Sequence, residues 1–368
     1  MSEGPLRSVH VDTERTWGGG QRQVAWLAAG LARRGHPTWV VARLSGRFTS
    51  RLEGAGVAVA PCAPIAEWDP LAVARIRALA RRTGAQLVVA HAAHAAALAA
   101  LATLGTGVRL VITRRVAHPI GRSGLSRWKY RRAALIVAVS ERVRGALLGD
   151  GVAPERIQVI PSGVDLSRPA EPADATVLRS LGIDPGRPLA VMVSALVPPH
   201  KDPVTFLRAL AEARRRCPGL QGLLVGGGPL LVEARREASA LGVQGAVRIV
   251  GHREDADRLL AAATVAVLSS RDEGMGTTLL DAMLWGVPVV ATAAGGVREA
   301  VRDGVDGLLS PPGDGAALGA NLAAVLADAS LRDRLVASAR ERVRAFSSER
   351  MVERTLDAYR HALYSAPC

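Results

Sequence analysis

Residues 8–44, SVHVDTERTWGGGQRQVAWLAAGLARRGHPTWVVARL, decide how the rest of the chain is read. A short apolar run around Val9 and Val11 leads into a glycine loop at Gly18–Gly20. Apolar residues then recur at helical spacing from about Gln21 to Arg34, and Gly35 stops them. The run Trp39–Ala42 follows. Strand, loop, helix, strand is the repeating unit of a parallel sheet, because parallel neighbours need a crossover of a dozen residues or more.

The same unit recurs outward from that stretch. Short Val, Ile and Leu runs at 57–60, 86–90, 109–113, 135–139 and 157–161 read as strands buried on both faces, with helical stretches between most of them. From 166 to 188 the pattern lapses into a segment rich in Pro, Ala and Asp, which marks a domain boundary. A second series then begins, with strands expected at 188–196, 222–228, 247–251, 265–269 and 288–292, and helices at 203–215, 229–241 and after Gly276. The expectation is α/β: two doubly wound, Rossmann-like domains. Ligands of such sheets bind at the carboxyl ends of the strands. The loops at 18–20, 194–201, 226–229, 251–255 and 271–276 all follow strands, so they are expected to line one interdomain cleft.

Within them, RDEGMGTTLLDAM (271–283) places Glu273 before a Gly274-Met275-Gly276 turn and Asp281 eight residues after Glu273. Leu279, Leu280, Met283 and Leu284 mark a helix opening near 276, with Thr277 and Thr278 as competent caps. A helix N-terminus offers unpaired N–H groups and partial positive charge, which suits a phosphate. A carboxylate on each side can accept hydrogen bonds from hydroxyls. A capped helix flanked by solvated acids uses the same residues, so these positions alone leave both readings open.

Composition narrows the class. Hydrophobic residues make up 49 % and aromatic residues 3 %, so the core is mostly Ala, Val and Leu. Cys62, Cys217 and Cys368 match no metal-ligand spacing, and MSEGPLRSVHV lacks the apolar run of a secretory leader. A cytoplasmic setting is expected. The net charge of +14 is lopsided: residues 1–165 hold 23 Lys plus Arg against 10 Asp plus Glu, and the remainder holds 24 against 23. The cluster Arg122, Arg127, Lys129, Arg131 and Arg132, with Trp128 and Tyr130 among it, could meet an anionic acceptor or an acidic membrane surface. Solvated arginine faces, or a cluster that braces the domain, are the alternatives. Patterns Gly-x-Ser-x-Gly, His-Glu-x-x-His and the P-loop are missing, and GGGQRQ is a poor dinucleotide fingerprint.

Longer blocks carry a resemblance. They include VHVDTERTWGGGQRQVAWLAAGLARRGH, AVSERVRGALLGDGVAPERIQVIPSGVD, VSALVPPHKDPVTFLRAL, LLVGGGP and FSSERMVERTLDAY. The most specific is VAVLSSRDEGMGTTLLDAMLWGVPVVAT, with its serine-ending strand, Glu-Gly-x-Gly and later carboxylate. The chain resembles the retaining, metal-independent glycosyltransferases of family 4, whose GT-B fold sets two Rossmann-like domains face to face. The resemblance implies a first domain at 1–167, a second at 168–346, and a final helix at about 347–368 packing back on the first.

It also implies roles. Glu273 would bind donor-sugar hydroxyls, Asp281 the ribose, and the backbone of Gly274, Met275, Gly276, Thr277 and Thr278 the sugar or phosphate oxygens. Lys201 would stabilise the leaving pyrophosphate in place of a metal. Gly19 and Gly20 would approach the pyrophosphate, and the backbone of His252 and Arg253 would meet the base. In much of the family a histidine follows the fifth strand near the reacting sugar; here Arg115 or His118 would stand in for it. His91 and His94 emerge beside them toward the acceptor, with a buried or helix-capping role the alternative for His94. The donor would be a UDP-, GDP- or ADP-sugar, the acceptor a glycan, lipid-linked or other small molecule, with no cofactor, metal or nucleic acid.

Two departures stand out. The family usually has Glu where Asp281 stands, and commonly Gly-Arg-Leu where this chain has Ser194-Ala195-Leu196, so the phosphate load falls on Lys201. Both bear on rate and donor preference. Asp255-x-Asp257 could imitate a metal clamp but reads better as a helix start, and GGGP (226–229) as a tight turn. A nucleotide-sugar epimerase of the same fold and a non-catalytic binder of anionic polymer or membrane are the competing classes.

Overall fold

Each apolar run of Val, Ile and Leu becomes a parallel strand. The central runs are buried on both faces, whereas the run at 57–60 becomes the edge strand Ala58–Pro61, which is half-buried to exposed and not buried as expected. The computed structural model describes residues 4–14, 17–43, 46–121 and 123–364. It divides into two units, one of residues up to 165 together with those from 347 onward, the other of residues 166–346. The first unit holds β1 (Ser8–Asp12), β2 (Thr38–Ala42), β3 (Ala58–Pro61), β4 (Leu87–Ala90), β5 (Arg109–Arg114), β6 (Leu135–Ala138) and β7 (Ile157–Val159). Their order is β3-β2-β1-β4-β5-β6-β7. The second holds β8 (Leu189–Val193), β9 (Gln221–Val225), β10 (Val247–Gly251), β11 (Val265–Leu268), β12 (Val289–Thr292) and β13 (Leu308–Ser310), in the order β10-β9-β8-β11-β12-β13. Every pairing between these strands is parallel.

Both sheets reverse direction of winding once, between β1 and β4 and between β8 and β11. At such a switch point the flanking helices diverge to opposite faces and leave a crevice at the strands' carboxyl ends. The sheets are therefore Rossmann-like, each with one such switch point. Closing the first unit, the helix Ser348–Tyr364 lays Val352, Leu356 and Tyr359 against Leu27, Leu31 and Leu87.

Several elements escaped the sequence reading, among them the helices Gly315–Ala327 and Ala329–Val343. Residues 308–310 are too short a run to show a period, yet β13 pairs with β12 at the sheet edge. Inside the Pro- and Ala-rich boundary segment, Asp174 accepts from the N–H of Val177 at 2.9 Å and starts a helix, Ala175–Ser180. Among the described residues no helix is long and apolar enough to cross a membrane.

Candidate active site

The second unit's switch point is built from the loops that leave β8 and β11. The two loops zip together: the N–H of Asp202 donates to the Ser269 carbonyl at 3.1 Å, the Ser269 hydroxyl to the Asp202 carbonyl at 2.7 Å, and Lys201 forms a β-bridge with Ser270. That stitching brings Lys201 and Glu273, 72 residues apart, into direct contact, with the ammonium Nζ donating to Glu273 Oε2. The Ser270 hydroxyl donates to the same oxygen at 3.0 Å. Both side chains stay partly open, 20 % and 16 % exposed, so the pair is shielded yet reachable. Glu273 Oε1 carries no hydrogen bond among the described residues.

Directly after Glu273, the helix Thr277–Trp285 begins. Its cap is Gly276, at φ +75°, and not a threonine: Thr277 and Thr278 are already helical, and the Thr278 hydroxyl turns to the Val193 carbonyl at 3.4 Å. The expected threonine cap is thereby corrected. Only glycine holds that left-handed φ without strain, and the turn leaves the first helical N–H groups without a side-chain cap.

Gly226 and Gly228 act by proximity. A Cβ on either would lie 1.8 Å from the Ser194 carbonyl oxygen or 2.2 Å from that of Leu196, so the loop after β9 passes against the loop after β8. GGGP is a backbone crossing. His252 is exposed beside Gly227, and Arg253 forms a two-point pair with Asp255 at 2.7 and 2.8 Å. Asp255 does stand at the start of the helix Ala256–Ala261, but its carboxylate serves Arg253 and not the helix N–H groups.

Asp281 is 2 % exposed and ion-paired. Its Oδ1 accepts from Arg168 at 2.9 Å, while Arg168 also reaches Asp257 Oδ2 at 2.9 Å and stacks 4.9 Å over Trp285. Arg168 comes from the boundary segment, where no motif announces it.

In the first unit the switch point holds a line of hydrogen bonds. Arg115 donates through Nη1 to the His91 carbonyl at 3.0 Å and lies 3.3 Å through Nη2 from His91 Nδ1. Guanidinium only donates, so His91 Nδ1 must accept and its proton sits on Nε2. Nε2 faces His10 Nδ1 at 2.8 Å, and His10 Nε2 faces the Ser8 hydroxyl at 3.0 Å. The network assigns one tautomer to each ring, both neutral. Burial, then the Arg115 charge, pushes His10 down to about 3 and His91 well below its ordinary value. Beside them the Tyr359 hydroxyl is buried without a hydrogen-bond partner among the described residues, and burial raises its pKa.

His91 is thus a buried support, contrary to its expected place at the acceptor edge; His94 stays half-buried on Thr13 at 3.2 Å. Gly19 and Gly20 open the helix Gly19–Arg33, and a Cβ on Gly20 would lie 4.0 Å from the Arg115 side chain. His118 is half-buried, and its carbonyl accepts from Arg114.

The basic cluster is not one surface. Lys129 is 4 % exposed, its ammonium donates to the Ala93 carbonyl at 2.9 Å, and burial lowers its pKa. Tyr130 is in the core, accepting from Arg114 at 2.7 Å, and Arg132 is half-buried over Trp128. The helix Gly124–Arg132 packs its Lys129–Tyr130 side inward, which leaves Arg127 and Arg131 exposed; Arg122 lies outside the described residues.

Comparison with known proteins agrees with this layout. The model of glycosyl transferases group 1 matches residues 175–342, and that of glycosyltransferase family 4 matches residues 17–168. A D-inositol 3-phosphate glycosyltransferase of Nocardioides is 36 % identical over 227 residues, 57 % of this chain and 49 % of that protein. One of Geodermatophilus obscurus is 37 % identical over 237 residues, 61 % and 52 % of the two chains. The chain spans about half the length of these curated relatives. Among solved structures, Anabaena Alr3699/HepE in complex with UDP and glucose superposes with a TM-score of 0.82 at 22 % identity, covering 96 % of this chain and 99 % of that one. A glycosyltransferase from Rickettsia africae reaches 0.83 at 20 %, covering 99 % and 100 %. The fold is GT-B.

Proposed function

The chain belongs to glycosyltransferase family 4, and from that premise we propose that it moves a glycosyl group from a nucleoside-diphosphate sugar to an acceptor hydroxyl, retaining the anomeric configuration and using no metal. The observation that carries this reading is the Lys201–Glu273 pair, fixed by Ser270 between the two strands of the switch point. Glu273 Oε1 accepts a sugar hydroxyl. The Lys201 ammonium turns its remaining protons to the pyrophosphate, whose charge grows as the glycosidic bond breaks. The uncapped N–H groups at Thr277 and Thr278 add a second positive field on that leaving group.

Asp281 takes the ribose hydroxyls after exchanging or sharing its contact with Arg168. In the first unit, Arg115 is the cation presented to the acceptor, with Gly19, Gly20, His94 and His118 around the same strand ends. Anabaena Alr3699/HepE binds UDP and glucose, and the relatives above are named for D-inositol 3-phosphate; UDP-glucose and inositol phosphates are therefore the first donor and acceptors to assay. Arg127 and Arg131 are the cations left for an anionic membrane surface.

Release of nucleoside diphosphate from a panel of UDP-, GDP- and ADP-sugars, in EDTA, tests this reading. Turnover of one donor is expected, with NMR of the product showing the donor's own anomeric configuration. Absence of turnover or hydrolysis across the panel would overturn it, as would an inverted product or a strict divalent requirement.

A further inference from the structure

The amino ends of the second unit's strands carry a site that the proposed reaction does not use. Arg179, Arg187, Arg214 and Arg248 surround a pocket of about 460 Å³ formed by the segments preceding β8, β9 and β10. The donor loops leave the opposite ends of those strands. Five residues of β8 at about 3.3 Å each separate the two by roughly 16 Å, so no single pyrophosphate reaches both.

The pocket is strongly positive. Four guanidiniums face one carboxylate, Asp184, whose Oδ1 is held by the N–H of Gly186 at 2.9 Å. None of the four arginines is ion-paired with a carboxylate among the described residues. Three are aimed by main-chain carbonyls: Arg187 donates to Gly219 at 2.9 Å, Arg214 to Leu220, and Arg248 to Gly245 and Val247 at 3.3 Å. Arg248 also lies across Gly182, where a Cβ would come within 2.7 Å of its Nε. A guanidinium has five N–H donors, so each arginine keeps several for a ligand. The buried Gln221 amide clamps the floor, accepting from the Asp184 N–H and donating to its carbonyl, both at 2.8 Å. Four like charges gathered around a single carboxylate repel one another, and a multiply charged anion removes that repulsion while filling the forked donors.

We propose that this pocket binds a phosphate-bearing ligand at the strands' amino ends, opposite the donor site, as an effector or anchoring site. The volume suits a small phosphorylated metabolite or the headgroup of an anionic lipid. The shared chemistry is a phosphate group.

Pyrophosphate titrated calorimetrically into the full chain tests it, with two variants to locate the binding. Arg179 and Arg187 are exposed, so Arg179→Gln/Arg187→Gln does not threaten folding. That variant is expected to weaken one binding event about tenfold or more, and Lys201→Ala is expected to retain it. Co-sedimentation with phosphatidylglycerol-containing vesicles separates the sources. Loss of vesicle binding in the double variant assigns a headgroup; pyrophosphate binding without vesicle binding assigns a soluble phosphate. Unchanged binding of both probes in the double variant overturns the proposal. So does loss of all pyrophosphate binding in Lys201→Ala, or an equal loss on changing Arg334 and Arg344, exposed arginines elsewhere on the unit.

Discussion

The two switch points hold their charges in opposite ways. In the second unit each binding group is paired with an opposite charge, Lys201 with Glu273 and Arg168 with Asp281. In the first unit Arg115 is held by neutral partners, a carbonyl and an imidazole whose tautomer it dictates. An ion pair can exchange partners when a phosphate or a sugar arrives, because cation and anion each meet a substitute. A guanidinium braced by neutral groups keeps its position and its net charge. On the proposed function the second site would receive a group carrying both anionic oxygens and hydroxyls, while the first holds a fixed cation.

The largest effect that sharpens this contrast is on turnover. Lys201→Ala and Glu273→Gln are each expected to lower it by about 10²–10³, with the melting temperature little changed because neither side chain packs in the core. Near-normal rates in either would break the exchangeable-pair half of the comparison. Next comes the loop crossing that positions Lys201. Gly226→Ala puts a methyl 1.8 Å from the Ser194 carbonyl oxygen at a residue with φ +145°. A loss of about 3 kcal/mol or more is expected in urea denaturation, and a midpoint equal to the parent's would contradict the crossing.

The neutral chain in the first unit is probed by acid. His10 and His91 have an ordinary value of 6.5 and are depressed in the fold, His10 to about 3. Below pH 6.5 the unfolded chain therefore binds more protons than the folded one. Stability from these rings is complete above pH 6.5 and falls as pH drops toward 3, by up to about 1.4 kcal/mol per pH unit for each ring. Urea midpoints are expected to decline from pH 6.5 to 4.5, less so in His10→Asn/His91→Gln. Identical pH profiles would remove the neutral chain from the account.

A smaller effect separates the roles of the two carboxylates. Asp281→Asn is expected to raise the donor KM about tenfold with kcat nearly kept, since a ribose contact made equally in ground and transition states alters binding alone. An equal fall in kcat would place Asp281 at the reacting bond.

How much of this could be read in advance follows the same divide. The strands were legible because parallel sheets demand unbroken apolar runs, and the second site because glycines and acids must sit at set distances around one helix start. Arg168 was not, since an arginine in a Pro-rich segment has no local pattern tying it to Asp281 113 residues away. The Ser8–His10–His91–Arg115 line was equally hidden. His10 reads as a polar interruption of a strand, and only the register of β1 beside β4 makes it His91's neighbour. Lys129 misled because charge suggests surface, whereas its long stem lets the ammonium cap a carbonyl inside the unit.

Calorimetric titration of UDP, in EDTA, into the chain and into Lys201→Ala tests the central claim most directly. The account expects binding without metal and affinity about tenfold or more weaker in the variant, as for a lost charge-assisted contact. Equal affinities, or binding that appears only when a divalent ion is restored, would contradict a donor site in which Lys201 takes the pyrophosphate.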